Sequence, residues 1–392
     1  MLLAAAALLP SAARAQVELP QVAPPPGETP LQTPAPAKGG LVVGGDFAIK
    51  LQGEANAPNR SKTRVGLYSD AELQLYANYR DWLSVNSDIK LERTRNTNLR
   101  SYFPDRNTFL RSEGVSLRQL YATLRPTDGL SVYAGKIHPA FGSAWGPGMP
   151  GTFYNYGTDY EQDERVGFGV QYRLPASLGL AKIGLDDVRL SFEAFYLDTS
   201  DLSFGFPRGP SLSDLTASRA YRYARSQFGP SNTGGLNSTT AAIRSGKAGQ
   251  GLQWQISITQ ETSQLPRART ENGQSAGLTY DPSGTGIPLT TELGMTPFIE
   301  YAHFTNFATV AGLERHYLLA GLSFSYGGWN LAFAGGLRRG QGAERVTDHQ
   351  ENATLTYEIL PRLQLGAGIN HATLGGRGSW TLAPALFYAA SF

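Results

Sequence analysis

The feature that most constrains this chain is the alternation at its end, Ser379 to Phe392. Every second residue gives Trp380, Leu382, Pro384, Leu386, Tyr388, Ala390 and Phe392; between them stand Thr381, Ala383, Ala385, Phe387, Ala389 and Ser391. A period of two belongs to a β-strand, here with one large apolar face and one mostly small face. A last strand cannot pair onward in sequence, so it pairs with an earlier strand or leaves a bare edge. In a bilayer a bare edge strands backbone N–H and C=O groups without partners, so the sheet must close. The same strand could also end a soluble sandwich, and the rest of the chain has to decide between the two.

The alternation recurs in segments of about ten residues, the length a strand needs to cross a bilayer. Phe47, Ile49 and Leu51 alternate with Ala48, Lys50 and Gln52. Leu83, Val85, Ile89 and Leu91 alternate with Ser84, Asn86, Asp88, Lys90 and Glu92. Val166, Phe168, Val170 and Tyr172 alternate with Arg165, Gly167, Gly169, Gln171 and Arg173, and the even-numbered run from His316 to Tyr326 continues the theme. Soluble sandwich strands are usually shorter, about five or six residues. Beyond residue 10 no apolar run reaches the ~18 residues of a membrane helix. With a mean hydropathy of -0.27, the chain hides its apolar content in alternation, as a transmembrane barrel does. Its 19 Tyr and 18 Phe suit interfacial girdles. The absence of Cys excludes disulfides and thiolate metal sites, and a net charge of +2 gives no reason to expect nucleic acid as a partner.

Residues 1–15 read as an export signal: an apolar stretch from Met1 to Leu9, then Ala13-Arg14-Ala15 as a small-x-small cleavage site, though without a basic start. Residues 16–40 carry seven prolines from Pro20 to Pro36 and read as an extended periplasmic tail. Residues 41–392 form the barrel. Tight connections at Arg80–Trp82, Gly327-Gly328 and Leu360–Arg362 alternate with long ones at Thr94–Gly114, His138–Asp163, Asp198–Gly235 and Arg339–Gln350. Short periplasmic turns and long extracellular loops are the barrel pattern. A first count of ~14 strands leaves Gln260–Leu293 as one long connection on the short side, so two further strands are expected at Leu236–Gly246 and Gln274–Asp281, giving ~16, with Pro175–Asp187 as a longer turn. The fold expected is therefore an all-β transmembrane antiparallel barrel. In the fourth strand, Val115/Leu117 and Leu120/Ala122/Leu124 have opposite parity, which a bulge near Arg118–Gln119 would reconcile.

Several runs resemble a known family. Leu117–Leu124 (LRQLYATL), Val132–Gly142 (VYAGKIHPAFG), Asp159-Tyr160-Glu161 and Glu164–Gly167 are similar to the porin superfamily that includes the phosphate-selective porins. Gly229–Thr233, Pro297–Tyr301 and Tyr317–Gly321 look like a little-characterised proteobacterial branch of it. The resemblance covers residues 41–392. It implies sixteen strands, a homotrimer, a third extracellular loop folded into the lumen, and location in the outer membrane of a Gram-negative bacterium. The arginine ladder of the phosphate-selective members is not evident here. The last strand also resembles the C-terminal strand of outer-membrane barrels, in which the terminal aromatic, here Phe392, is read by the barrel-assembly machinery.

In such a channel the chemistry is a charge-lined constriction. The third outer loop, His138–Asp163, is rich in Gly and Pro and ends in Asp159, Glu161, Asp163 and Glu164. Lys50, Lys90, Lys136, Arg165, Arg173, Arg189 and Arg338 fall on polar faces and could line the pore opposite those acids, with Asp70, Glu72, Asp88, Glu92, Glu193, Glu300 and Glu358 making the lumen mixed in sign. The bland alternative is a solvated acidic loop with each wall charge paired structurally. Arg208, Arg219, Arg222 and Arg225 in the outer loop Asp198–Gly235 could meet lipopolysaccharide phosphates or steer anions. Five histidines, at 138, 303, 316, 349 and 371, show no metal-ligand spacing, and no nucleophile or phosphate-binding motif appears. The expectation is a non-enzymatic porin without cofactor or metal, passing small hydrophilic solutes or ions by diffusion. The alternative from another class is a structural or adhesive barrel with an occluded lumen.

Overall fold

The computed structural model describes residues 40–58, 63–93, 108–109, 113–144, 156–163, 165–180, 187–200, 229–245, 251–281, 287–290, 293–342 and 345–392. The export signal and nearly all of the proline-rich tail lie outside them. So do Glu164 and the loop arginines 208, 219, 222 and 225.

Sixteen long strands close into one antiparallel barrel. They are β1 (Leu41–Pro58), β2 (Arg64–Tyr79), β3 (Leu83–Arg93), β4 (Glu113–Thr127), β5 (Leu130–Ile137), β6 (Arg165–Arg173), β7 (Arg189–Leu197) and β8 (Ser238–Ser245). The second half comprises β9 (Gly251–Glu261), β10 (Glu271–Asp281), β11 (Leu293–Thr305), β12 (Leu313–Tyr326), β13 (Trp329–Gly342), β14 (Val346–Leu360), β15 (Leu363–Leu374) and β16 (Arg377–Ser391). Two-residue bridges at Thr108–Phe109 and Ile287–Pro288 add to the sheet without interrupting the order. Each long strand pairs with its neighbour in sequence, and β16 pairs with β1 from Asp46↔Ser391 to Pro58↔Ser379. No edge is left, as a bilayer requires. The weakly apolar segments expected to be strands, near 236–246 and 274–281, are β8 and β10.

The wall is inverted relative to a water-soluble protein. Large apolar side chains stand exposed on the outside: Ile299, Leu318, Phe333, Leu355, Ile369 and Leu382 are each more than two-fifths exposed. The opposite faces bury Gln52, Asn56, Gln74, Asn78, Ser84, Asn86, Gln350 and Asn352. A soluble sandwich would show the reverse, and an exposed apolar band of this extent marks a surface made for lipid.

The three longest connections lie at the end opposite the termini, after β3, β5 and β7. Later connections at that end are short. Arg339–Gln350, read from sequence as a long loop, is mostly strand: β13 runs to Gly342 and β14 starts at Val346. Gly340 still pairs with Val346, so the ladder extends past the polar residues that suggested a loop. In β4 the register against β3 shifts between Asp88↔Gln119 and Ile89↔Leu117. Arg118 is the extra residue, and Arg118 and Gln119 are both buried on the inner side. That bulge accounts for the change of parity.

Candidate functional site

The described parts of the β5–β6 connection, 138–144 and 156–163, pack on the inner face of strands far round the barrel. Phe141, Ala144, Tyr156 and Tyr160 form one buried cluster with Phe298, Ala302 and Phe304 of β11, Tyr317 and Leu319 of β12, and Ala334 of β13. These inward apolar residues break the polar-inside pattern, and the packed loop is the reason. Tyr160 stacks edge-on against Phe141 and Tyr317, with centroids 6.1 and 5.0 Å apart.

Glu300, fully buried on β11, is the principal latch. It accepts four hydrogen bonds from the loop: Ser143 N–H (2.6 Å), Ser143 hydroxyl (2.5 Å), Ala144 N–H (3.2 Å) and Tyr160 hydroxyl (2.5 Å). Such charge-assisted bonds are about twice as strong as neutral ones. Burial raises the Tyr160 hydroxyl well above its ordinary pKa, and the adjacent Glu300 carboxylate adds to the shift, so Tyr160 stays a donor. Two glycines make the close approach possible. A Cβ on Gly277 of β10 would lie 2.6 Å from Ser143 Oγ and 2.8 Å from Glu300 Oε2. Gly142 turns with φ +69, a conformation that few side chains tolerate.

Further contacts extend the seam. Gln255 donates to the carbonyls of Ala140 (3.3 Å) and Gly142 (3.1 Å), and Gly142 N–H donates to Ser257 (3.1 Å). Tyr156 hydroxyl donates to the His349 and Thr373 carbonyls of β14 and β15, at 3.1 and 2.9 Å. Arg338 of β13 pairs with Asp159 (2.8 Å) and Asp348 (2.5 Å) and lies over the Tyr156 ring.

The residues singled out from sequence fall into two groups. In the first, the charges are covered. Asp159 pairs with Arg338; Glu161 and Asp163 both meet Arg118, the latter at 3.8 Å. Lys136 is paired with Asp198 at 3.0 Å, and Arg165 with Glu261 at 3.0 Å; Glu300 lies beneath the loop. Lys136, Arg165 and Glu300 are all buried, so they seat polypeptide rather than stand in open lumen. Against the cost of burial, bonds from Ser200 and the Lys136 charge hold the Asp198 carboxyl below its ordinary range. In the second group the charges remain partly open. Lys50 and Lys90 flank Asp70 at 3.6 and 4.0 Å, with side-chain exposures of 21%, 18% and 27%. Arg189 meets Asp187 at 2.6 Å, at the end of the barrel that carries the termini. Phe392 exchanges backbone hydrogen bonds with Gly45, at 3.1 and 3.0 Å.

Sequence reasoning missed Arg118, Glu261, Asp198 and the aromatic seam. Arg118 sits at the bulge, where parity gives no direction. The inward aromatics of β11 and β12 pack on one another and are covered by a loop more than a hundred residues away. The histidines, unspaced along the chain, are also gathered by register: His303 faces His316, and His371 faces Glu351 beside His349.

The sequence matches no protein-family model and no curated protein. Solved structures do match. OprB of Pseudomonas putida at high pH has a TM-score of 0.54 at 12% identity, covering 90% of this chain and 94% of that one. The outer membrane channel DcaP of Acinetobacter baumannii also has a TM-score of 0.54 at 12% identity, covering 90% and 99%. OmpF of Salmonella typhi, in complex with daunomycin, has a TM-score of 0.52 at 11% identity, covering 88% and 97%. In its closure, strand number and strand order, this chain has the fold of the bacterial outer-membrane porins.

Proposed function

We propose that the protein is a passive diffusion channel of the outer membrane for small hydrophilic solutes or ions, with its bore narrowed by the β5–β6 loop. The observation that carries this reading is the inverted wall: apolar outside, polar and charged inside, closed without an edge. A sixteen-stranded barrel is wide enough for an aqueous channel. The loop seam on β9–β15 supports a constriction bounded on its other side by β1–β3. There Lys50, Asp70, Glu72 and Lys90 present both signs, which favours weak selectivity. Phosphate specificity is not part of the proposal, since Arg118, Arg165 and Arg338 are each paired with carboxylates. The proposal includes export through residues 1–15, assembly by the barrel-assembly machinery through Phe392, contact with lipopolysaccharide and a homotrimer.

Planar-bilayer recording tests it. The folded protein should give stepwise, ohmic conductance, and Lys50→Gln with Lys90→Gln should move the reversal potential in a salt gradient toward cations. Folded, inserted protein that passes no current would favour the occluded structural barrel instead.

A further inference from the structure

Four of the five histidines stand in two cross-strand groups on the outer face of the wall, near the end opposite the termini. His303 lies two residues before the end of β11; Glu314 and His316 lie just after the start of β12. His303 and His316 face each other directly, with rings stacked at 4.4 Å and an interplanar angle of 18°. The Nδ1 of His316 meets the Tyr301 hydroxyl at 2.8 Å, and the Nδ1 of His303 meets the Gln274 amide at 3.2 Å. Both Nε2 atoms are buried without a hydrogen-bond partner. The Glu314 carboxylate lies 3.9 Å from His316 Nε2, and one donor atom from each of the three side chains falls within 4.8 Å of the others.

We propose that His303, His316 and Glu314 form a site for a divalent transition cation such as Zn²⁺ or Cu²⁺. Neutral imidazole and carboxylate are the donors those ions take, with bonds of about 2.0–2.2 Å. A tetrahedral ion with such bonds spaces its ligands about 3.4 Å apart, so the two rings tilt out of their stack to aim their in-plane lone pairs at one ion. For both Nε2 atoms to carry lone pairs, both Nδ1 atoms must carry the protons. The Tyr301 oxygen accepts one of them; the Gln274 carbonyl accepts the other once its amide is turned. These two partners supply the outer-shell support that fixes ring orientation at metal sites. In that tautomer two desolvated acceptors stand side by side beside a carboxylate, an unfavourable cluster that a cation relieves. Nothing in the channel reading requires this group: it faces away from the lumen.

The second group differs, since Glu351 already meets His371 Nδ1 at 2.8 Å. Removing its histidines isolates the first. In tag-free, detergent-folded H349Q/H371Q protein, Cu²⁺ titration followed by electron paramagnetic resonance and calorimetry should show one ion per chain with two nitrogen donors. Adding H316Q should abolish the two-nitrogen signature and weaken binding at least tenfold; Y301F should weaken it less. Because substitutions can disturb assembly, a second measurement uses the unaltered protein. Zn²⁺ should protect His303 and His316 from diethyl pyrocarbonate, read by mass spectrometry. The proposal is overturned if H349Q/H371Q binds Cu²⁺ no better than a variant also lacking His303 and His316, or if Zn²⁺ leaves both histidines equally reactive.

Discussion

At the scale of residues, Glu300 and His138 carry the sharpest expectations. Glu300 accepts four loop donors in a fully buried setting. Glu300→Ala leaves those donors unsatisfied, each at a cost of about 1–3 kcal/mol where water cannot enter. The loop should then come off the wall. Limited proteolysis should cut the 138–163 segment faster, and mean conductance should rise; an unchanged cleavage rate would mean that the aromatic seam suffices. His138 is held neutral. Burial pushes its pKa down to about 4; Arg118 and Arg165 add to this, and Glu161 and Asp163 oppose it. The unfolded chain, with an ordinary value near 6.5, therefore binds the extra proton first. Stability from this group is complete above pH ~6.5 and is lost as pH falls toward 4, by about 3 kcal/mol in all. Urea unfolding of His138→Gln should show a shallower acid dependence than wild type across that window. Parallel curves would remove His138 from the account.

At the scale of elements, the two faces of one strand set the terms. Leu355 of β14 is exposed outside, while Thr356 beside it points in. Leu355→Arg should cost about 2–4 kcal/mol if it sits at the bilayer midplane, because the guanidinium meets hydrocarbon. Thr356→Arg should cost much less, because a polar lumen solvates the charge. Refolding into vesicles in a urea series separates them, and equal losses would contradict the inverted wall. Alternation was readable from sequence in most strands because one face must meet lipid at every other position. In β4 it changed parity at the bulge expected near Arg118–Gln119, and it failed at the inner face of β11, where Phe298, Ala302 and Phe304 answer to a loop.

At the scale of the whole molecule, closure decides assembly. β16 meets β1 over a long register, and Phe392 completes it through a pair of backbone bonds with Gly45. Removing Phe392 deletes both bonds and the aromatic, and should sharply lower the yield of folded, heat-modifiable barrel in the outer membrane. A normal yield would show that closure tolerates the loss and that this residue carries no assembly signal.

The sequence by itself determined the architecture: the all-β class, a closed barrel of about sixteen strands and, in most strands, the direction each face looks. These follow from a period of two, from the alternation of short and long connections, and from the impossibility of an open edge in lipid, all of which can be read along the chain. Only the tertiary structure decided what the charges do. Asp159, Glu161, Lys136 and Arg165 were legible as inward groups, but their partners, Arg338, Arg118, Asp198 and Glu261, come from distant strands and loops. The same holds for His303 and His316, which register alone brings face to face. Electrostatic pairing and ligand geometry depend on distances of a few ångströms across the barrel, and strand periodicity carries no record of them.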